Sequence, residues 1–178
     1  MILLETPRLT LRVCAPEHLL ALIEQPDQVD RLVGFPVAAE MHSMYGSSAV
    51  SPRWVAALRE AKDSGAAPDP WRHGFFVVHK ADARVIGGAG YKGAPDADGM
   101  VEIAYGVVPP YEGKGYATEA AGALVAYAFD QESVRLVRAH TLPEPNASTH
   151  VLRKNGFHFA GDVTDPEDGP VWRWERAR

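Results

Sequence analysis

The chain has 178 residues, 46% of them hydrophobic and 23% charged, with 18 Lys and Arg against 23 Asp and Glu for a formal charge of −5. That is enough apolar chain for one packed domain, expected to span residues 1–178, and it excludes a disordered segment. No apolar run approaches the roughly 20 residues a bilayer-spanning helix needs, and the mild acidity argues against nucleic acid as the main partner.

The N-terminus carries Glu5, Arg8 and Arg12 among short apolar stretches, which is not a signal sequence, so a cytoplasmic location is expected. Leu9, Leu11 and Val13 alternate with Thr10 and Arg12, the pattern of a half-buried strand. Cys14 is the only cysteine, which rules out an internal disulfide and a cysteine-based zinc cluster; it reads as an apolar filler. The seven histidines show no metal-ligand spacing, and no metal is expected. Pro16 opens a run of strong helix formers, and a second helix is predicted over residues 51–62. There Ser51 stands as the N-cap, Pro52 in the first turn, and Trp54, Val55, Leu58 and Ala61 on one face. Residues 34–48 between them are irregular and carry Phe35, Pro36, Met41, Met44 and Tyr45, suited to packing on the core or to covering a pocket.

From His73 the period changes. Residues 75–78 and 84–91 read as paired strands, a turn follows at 95–99, and residues 100–108 form another strand. An alanine- and leucine-rich helix over 118–129, a strand over 134–141, a short helix over 147–154 ended by Asn155 and Gly156, and strands over 157–163 and 171–174 complete the chain. This order describes an α+β layer fold with an antiparallel body and one or two crossovers.

Three glycine patterns compete as ligand loops. Gly88, Gly90 and Gly93 fit GxGxxG, but turn chemistry rather than a helix follows, so no helix N-terminus is there to hold a pyrophosphate. A phosphate-binding P-loop fails because Gly115 follows Gly113 and Lys114, and Val108 stands where its first glycine would. The third pattern, Glu112, Gly113, Lys114, Gly115, Tyr116, Ala117 and Thr118, joins a strand directly to a helix. There the unpaired amides of the first turn converge at the positive end of the helix dipole, Gly113, Gly115 and Ala117 allow close approach, and Lys114 adds charge. This is a phosphate site.

The run over residues 99–120 resembles the acyl-CoA loop of the GCN5-related N-acetyltransferases (GNAT). A second stretch resembles theirs too: Asn146, Ser148, Gly156 and Phe157. With the opening Thr6, Pro7, Arg8, Leu9 and the closing Asp165, Gly169, Val171, Trp172, the chain is similar to the branch containing the ribosomal-protein N-terminal acetyltransferases. The resemblance implies a largely antiparallel twisted sheet of about six to seven strands flanked by about four helices, with two central parallel strands splayed apart. It implies acetyl-CoA as cosubstrate and a primary amine as acceptor, either a peptide α-amine or a small molecule. Val107 and Val108 match the positions that pair with the pantetheine arm, where a backbone N–H can stabilise the oxyanion formed when an amine attacks a thioester. Gly113, Lys114, Gly115, Tyr116, Ala117 and Thr118 match the phosphate cradle, and Asn146 lies near a pantetheine contact.

A lysine-like amine, with pKa about 10.4, is almost wholly protonated at neutral pH, so a proton acceptor is needed. Glu102 stands where several family members hold a carboxylate base. Leu152 occupies the position of the tyrosine acid of many relatives, and Ser148 matches a serine that can hydrogen-bond the CoA sulfur; Ser148 is equally suited to capping its helix. Glu112 replaces the usual Gln or Arg, and Pro145 replaces the usual Asn. Together with Leu152, these departures keep open a second reading, an acyl-CoA-binding sensor without turnover. The acceptor pocket is expected to draw on Met44, Tyr45, Trp54, Trp71 and the last strands. A homodimer, common in the family the chain resembles, is carried as an expectation.

Overall fold

The computed structural model describes residues 1–46 and 49–178; Ser47 and Ser48, the end of the irregular segment, lie outside the described residues. One eight-stranded sheet organises the chain, with spatial order β1-β2-β3-β4-β5-β6-β8-β7. The strands are β1 Leu3–Glu5, β2 Leu9–Val13, β3 Phe75–His79, β4 Arg84–Tyr91, β5 Met100–Val107, β6 Leu136–Thr141, β7 His158–Asp165 and β8 Gly169–Ala177. All neighbours are antiparallel except β5 and β6, which run parallel. The helices are α1 Pro16–Glu24, α2 Val29–Val33, α3 Met41–Met44, α4 Pro52–Asp63, α5 Pro70–His73, α6 Tyr116–Phe129 and α7 Ala147–Lys154. The four longer ones, α1, α4, α6 and α7, are those the periodicity predicts; α2, α3 and α5 are too short to leave a periodic signal.

Two features at the edges depart from the sequence reading. Strand β1 was not expected, because three residues carry no alternation; it is held by pairing Leu4 with Leu11 of β2. Strand β8 is longer than residues 171–174 because its charged positions pair across the sheet. Arg173 stands opposite His140 and Glu175 opposite Arg138, so polar residues that look like strand ends are strand interior. Ser51 occupies the N-cap of α4 as expected, without a side-chain cap bond; Ser51, Pro52 and Arg53 are exposed, so the first turn opens to solvent.

Helix layers cover both faces. On one, Leu124 of α6 is fully buried, and Tyr91 of β4 donates its hydroxyl to the Leu124 carbonyl at 2.6 Å. On the other, α1 packs on α3 and α4. The sheet is bare where α3 meets it, because Gly88 and Gly106 are cross-strand partners and Gly90 faces Ala104. A Cβ at Gly88 would lie 1.9 Å from the Tyr45 hydroxyl, and one at Gly106 would lie 2.9 Å from Met44 Cε. Of the glycines that imitate a dinucleotide motif, Gly88 is therefore the seat of Tyr45 and Gly90 packs on Gly74, while Met44 sits on Gly106, outside that motif. Gly88→Val is expected to displace Tyr45 and destabilise the fold by about 1–3 kcal/mol, read from the urea midpoint; an unchanged midpoint would mean that the contact carries no packing.

Candidate active site

The parallel ladder between β5 and β6 is short. It pairs Met100 with Leu136, Val101 with Val137 and Glu102 with Arg138, and there it stops, while β5 continues to Val107 and β6 to Thr141. Beyond the fork, one edge of β5 has no neighbour. Val108 donates to Ile86 O (2.8 Å), and Glu102 O accepts from Lys92 N (2.9 Å), so even-numbered backbone groups face β4. Strand alternation turns the amides of Ile103, Tyr105 and Val107 toward the gap. Of the two valines singled out by sequence, Val107 therefore offers its N–H to the gap, whereas that of Val108 is spent on β4.

The strand leads through a 3-10 turn, Pro109–Tyr111, into the glycine loop. Gly113 and Gly115 have φ of +70° and +83°, values that favour glycine, and Gly115 is the N-cap of α6. The helix accordingly starts at Tyr116, two residues before the expected Thr118. Among the described residues, the first N–H of this stretch to find a protein acceptor is that of Glu119, which donates to Gly115 O at 3.1 Å. The amides of Gly113, Lys114, Gly115, Tyr116, Ala117 and Thr118 remain open, as an anion cradle requires. Lys114 folds back, its ammonium 3.0 Å from Pro110 O, and Glu112 is exposed.

Arg8 braces this loop, a role not assigned from the sequence. Its guanidinium holds the Lys114 carbonyl at 2.8 Å and the Glu119 carboxylate at 2.8 Å, and lies 4.4 Å from the Tyr116 ring centre. Thr6 donates to the same carboxylate at 2.6 Å. Tyr116 is fixed from its other end by His79 Nε2, 2.8 Å from its hydroxyl. Asn155, at the end of α7, donates to Thr118 O at 3.1 Å and ties the two helices together.

Glu102 sits at the fork, with its side chain on the face opposite α6. Its Oε1 lies 2.9 Å from both Lys92 Nζ and His140 Nδ1. Arg173 Nε donates to His140 Nε2 at 3.3 Å, which makes that nitrogen an acceptor and puts the ring proton on Nδ1, facing Glu102. Burial alone would raise the Glu102 pKa, but hydrogen bonds from His140 and Lys92 and the Lys92 charge outweigh it and hold the carboxyl below its ordinary value. Oε2 has no protein partner among the described residues and is free to hold water or an amine proton. Lys92 and His140 were not found by sequence: each stands near a strand end, and only the sheet order brings them to Glu102.

At α7 the capping role falls to residues other than Ser148. The cap is a reciprocal pair: Asn146 Oδ1 accepts from Thr149 N at 3.0 Å, and Thr149 Oγ1 accepts from Asn146 N at 3.1 Å. Ser148 is not the cap, and its Oγ lies 3.2 Å from the hydroxyl of Tyr105. The Asn146 side-chain oxygen is occupied by this cap, leaving its amide hydrogens for a ligand.

On the sheet face that carries Ala104 and Gly106 lies a cavity of about 890 Å³, with Glu102 not among its lining residues but joined to it through Lys92. Met44, Tyr45, Trp54 and Trp71 line it as expected; Gly88, Gly90, Ala104 and Gly106 form its floor, and Lys92, Tyr105 and Glu167 complete it. The last strands contribute through the β7–β8 turn that carries Glu167.

Comparison with known proteins places this geometry. A model of the GNAT acetyltransferase domain matches residues 8–158. The uncharacterized N-acetyltransferase YjdG of Bacillus subtilis (strain 168) is 31% identical over 158 residues, covering 88% of this chain and 90% of its own. Among solved structures, the ribosomal L7/L12 α-N-protein acetyltransferase RimL in complex with coenzyme A aligns with TM-score 0.65 and 15% identity over 99% of this chain and 98% of that one. The aminoglycoside acetyltransferase AAC(6')-Ib in complex with coenzyme A gives 0.60 and 22% over 96% and 95%. These two share the fold. The chain belongs to the GNAT acetyltransferase family.

Proposed function

We propose that the protein transfers an acetyl group from acetyl-CoA to a primary amine by direct attack within a ternary complex. The observation that carries this reading is the fork at Glu102. Open amides line the gap and the loop on one side of it, and an aromatic-walled cavity opens on the other. When bound, acetyl-CoA supplies an activated acyl group on sulfur.

The chain's residues fit that donor. The amides of residues 113–118 suit a pyrophosphate, with Arg8 fixing the loop from behind. The exposed edge of β5 suits an extended amide-bearing arm that adds to the sheet as a strand would. The N–H of Val107 is suited to stabilise negative charge developing on the acyl oxygen. The acceptor amine enters through the cavity, and Glu102 takes its proton, directly or through water held at Oε2. Ser148 donates a hydrogen bond to the departing sulfur, whose thiol pKa of about 8.5 makes it a fair leaving group without a strong acid. The acceptor is a peptide α-amine or a small-molecule amine, as in relatives of both kinds.

Free-thiol release from acetyl-CoA, measured over a panel of amines, tests this. Release is expected to depend on an amine, and Glu102→Gln is expected to lower kcat about 10²–10⁴-fold while coenzyme A still raises the melting temperature. Stabilisation by coenzyme A with no release for any amine would instead make the chain an acyl-CoA-binding module. Because the Glu102 carboxyl titrates below its ordinary value, it is ionised across the neutral range, and the acid limb of the rate profile belongs to the acceptor. With a good acceptor, kcat/KM should rise with pH through a midpoint of about 7.7–8.0 for a peptide α-amine or about 10.4 for a lysine-like amine and level off above it. A limb that follows neither amine would contradict direct attack.

A further inference from the structure

Tyr105 belongs to strand β5, next to the Gly106 of the cavity floor, and strand alternation turns its side chain to the opposite face, toward α7. It is among the residues that line the cavity, and its hydroxyl lies 3.2 Å from Ser148 Oγ and 3.4 Å from the Ser148 carbonyl on α7. The ring therefore spans from β5 to the first turn of α7 across the interval where β5 and β6 are unpaired. No turn or cap geometry requires this contact. The helix is capped by Asn146 and Thr149, and the strand is held by its pairing with β4, Ala89 opposite Tyr105. A phenol placed on a buried strand face is retained where its oxygen has a partner, and the partner here is the serine to which the mechanism assigns the leaving sulfur.

We propose that Tyr105 is a positioning residue for acyl transfer: its phenol donates to Ser148 Oγ and thereby turns the Ser148 hydroxyl hydrogen toward the sulfur of the bound donor. The inference rests on the assignment of Ser148 made above. A serine hydroxyl rotates freely about its C–O bond and has one hydrogen to give; unless its oxygen is engaged from the far side, that hydrogen has the Tyr105 oxygen as an equally good acceptor. Engaged by the phenol, Oγ becomes an acceptor from Tyr105 and a donor to sulfur, and each bond polarises the next. No proton changes hands in this chain of two hydrogen bonds. When the C–S bond breaks, sulfur keeps the electron pair, receives the Ser148 hydrogen bond, and leaves as thiolate, to be protonated by solvent. Burial pushes the phenol up to about 12, against the opposing effect of the Ser148 bond, so Tyr105 keeps its proton at every pH at which the reaction runs. It is thus too weak an acid to protonate a thiolate and well suited to a fixed donor.

A double-mutant cycle tests this with the whole protein and its best amine. Tyr105→Phe keeps the ring and removes only the hydroxyl; it is expected to lower kcat about tenfold with the KM for acetyl-CoA changed less than about twofold. The double variant Tyr105→Phe/Ser148→Ala should be no slower than Ser148→Ala alone, because the phenol acts only through the serine. The melting-temperature rise on adding coenzyme A, measured for every variant, should match that of the parent and so shows each to be folded and able to bind donor. The proposal is overturned if Tyr105→Phe turns over at the parent rate, if it raises KM and leaves kcat alone, or if its loss multiplies that of Ser148→Ala. If Ser148→Ala itself is unimpaired, the assignment of Ser148 fails and this inference with it; if Ser148→Ala is slow and Tyr105→Phe is not, the inference alone fails.

Discussion

Backbone amides without acceptors are a liability in a folded chain, and this protein keeps two groups of them side by side. One lies along β5 beyond Glu102, where the parallel ladder to β6 ends. The other is the run of N–H groups from Gly113 into the first turn of α6. The two are separated by a 3-10 turn with no open amide: Val108, Tyr111 and Glu112 donate to Ile86 O, Val108 O and Pro109 O, and Pro109 and Pro110 have no N–H, so the donors form two sets on either side of the strand-to-helix corner. A ligand that carries phosphates at one end and amides along its length suits both sets. The rest of the architecture keeps the two sets open: β8 pairs with β6 and holds it in place, Arg8 and Glu119 pin the loop, and Asn155 fixes α7 to α6.

The electrostatics follow from where the fork lies. Lys92, Glu102, His140 and Arg173 form a line across β4, β5, β6 and β8 on one face of the sheet, with Arg138 and Glu175 beside it. Lys92 directly follows β4 and the other three sit on β5, β6 and β8, so the line bridges the interval where β5 and β6 lose their backbone pairing. It also sets the carboxylate's character. Burial would favour the neutral acid, and the paired cation and imidazole favour the anion more strongly, leaving an ionised, weakly basic carboxylate. In the proposed reaction such a group suits proton removal that accompanies attack rather than preceding it. Lys92 lines the cavity and its ammonium covers one oxygen of the Glu102 carboxylate, which leaves Oε2 without a protein partner among the described residues.

Much of this was legible in the sequence, for identifiable reasons. The glycine loop could be read because it lies between a strand and a helix in the chain itself, and its geometry is local. Gly113 and Gly115 take the positive φ values that explain their presence. Of the cavity wall, Met44 and Tyr45 were visible in an apolar segment that fits no helix or strand period, and Trp54 on the apolar face of a predicted helix. What could not be read is what depends on register. Lys92 meets Glu102, and Glu102 meets His140, only once β4, β5 and β6 are placed side by side, since those contacts join distant parts of the chain. The same holds for Tyr105, whose place among Val101, Ile103 and Val107 looks like plain core, although a tyrosine on a buried face calls for a partner. The spacing of Asn146, Ser148 and Thr149 is instructive in another way. Pro145 moves the cap to Asn146, the capping partner moves with it to Thr149, and Ser148 is left free of that duty.

The claim on which the account stands is that these backbone amides hold the donor. Residue-by-residue amide hydrogen exchange with and without coenzyme A, followed by NMR, tests it most directly. The account predicts slowed exchange at Tyr105 and Val107 and at residues 113–118, with Val108, already bonded to Ile86, unchanged. Binding without protection at those amides, or protection centred on Gly88 and Gly90, would contradict it.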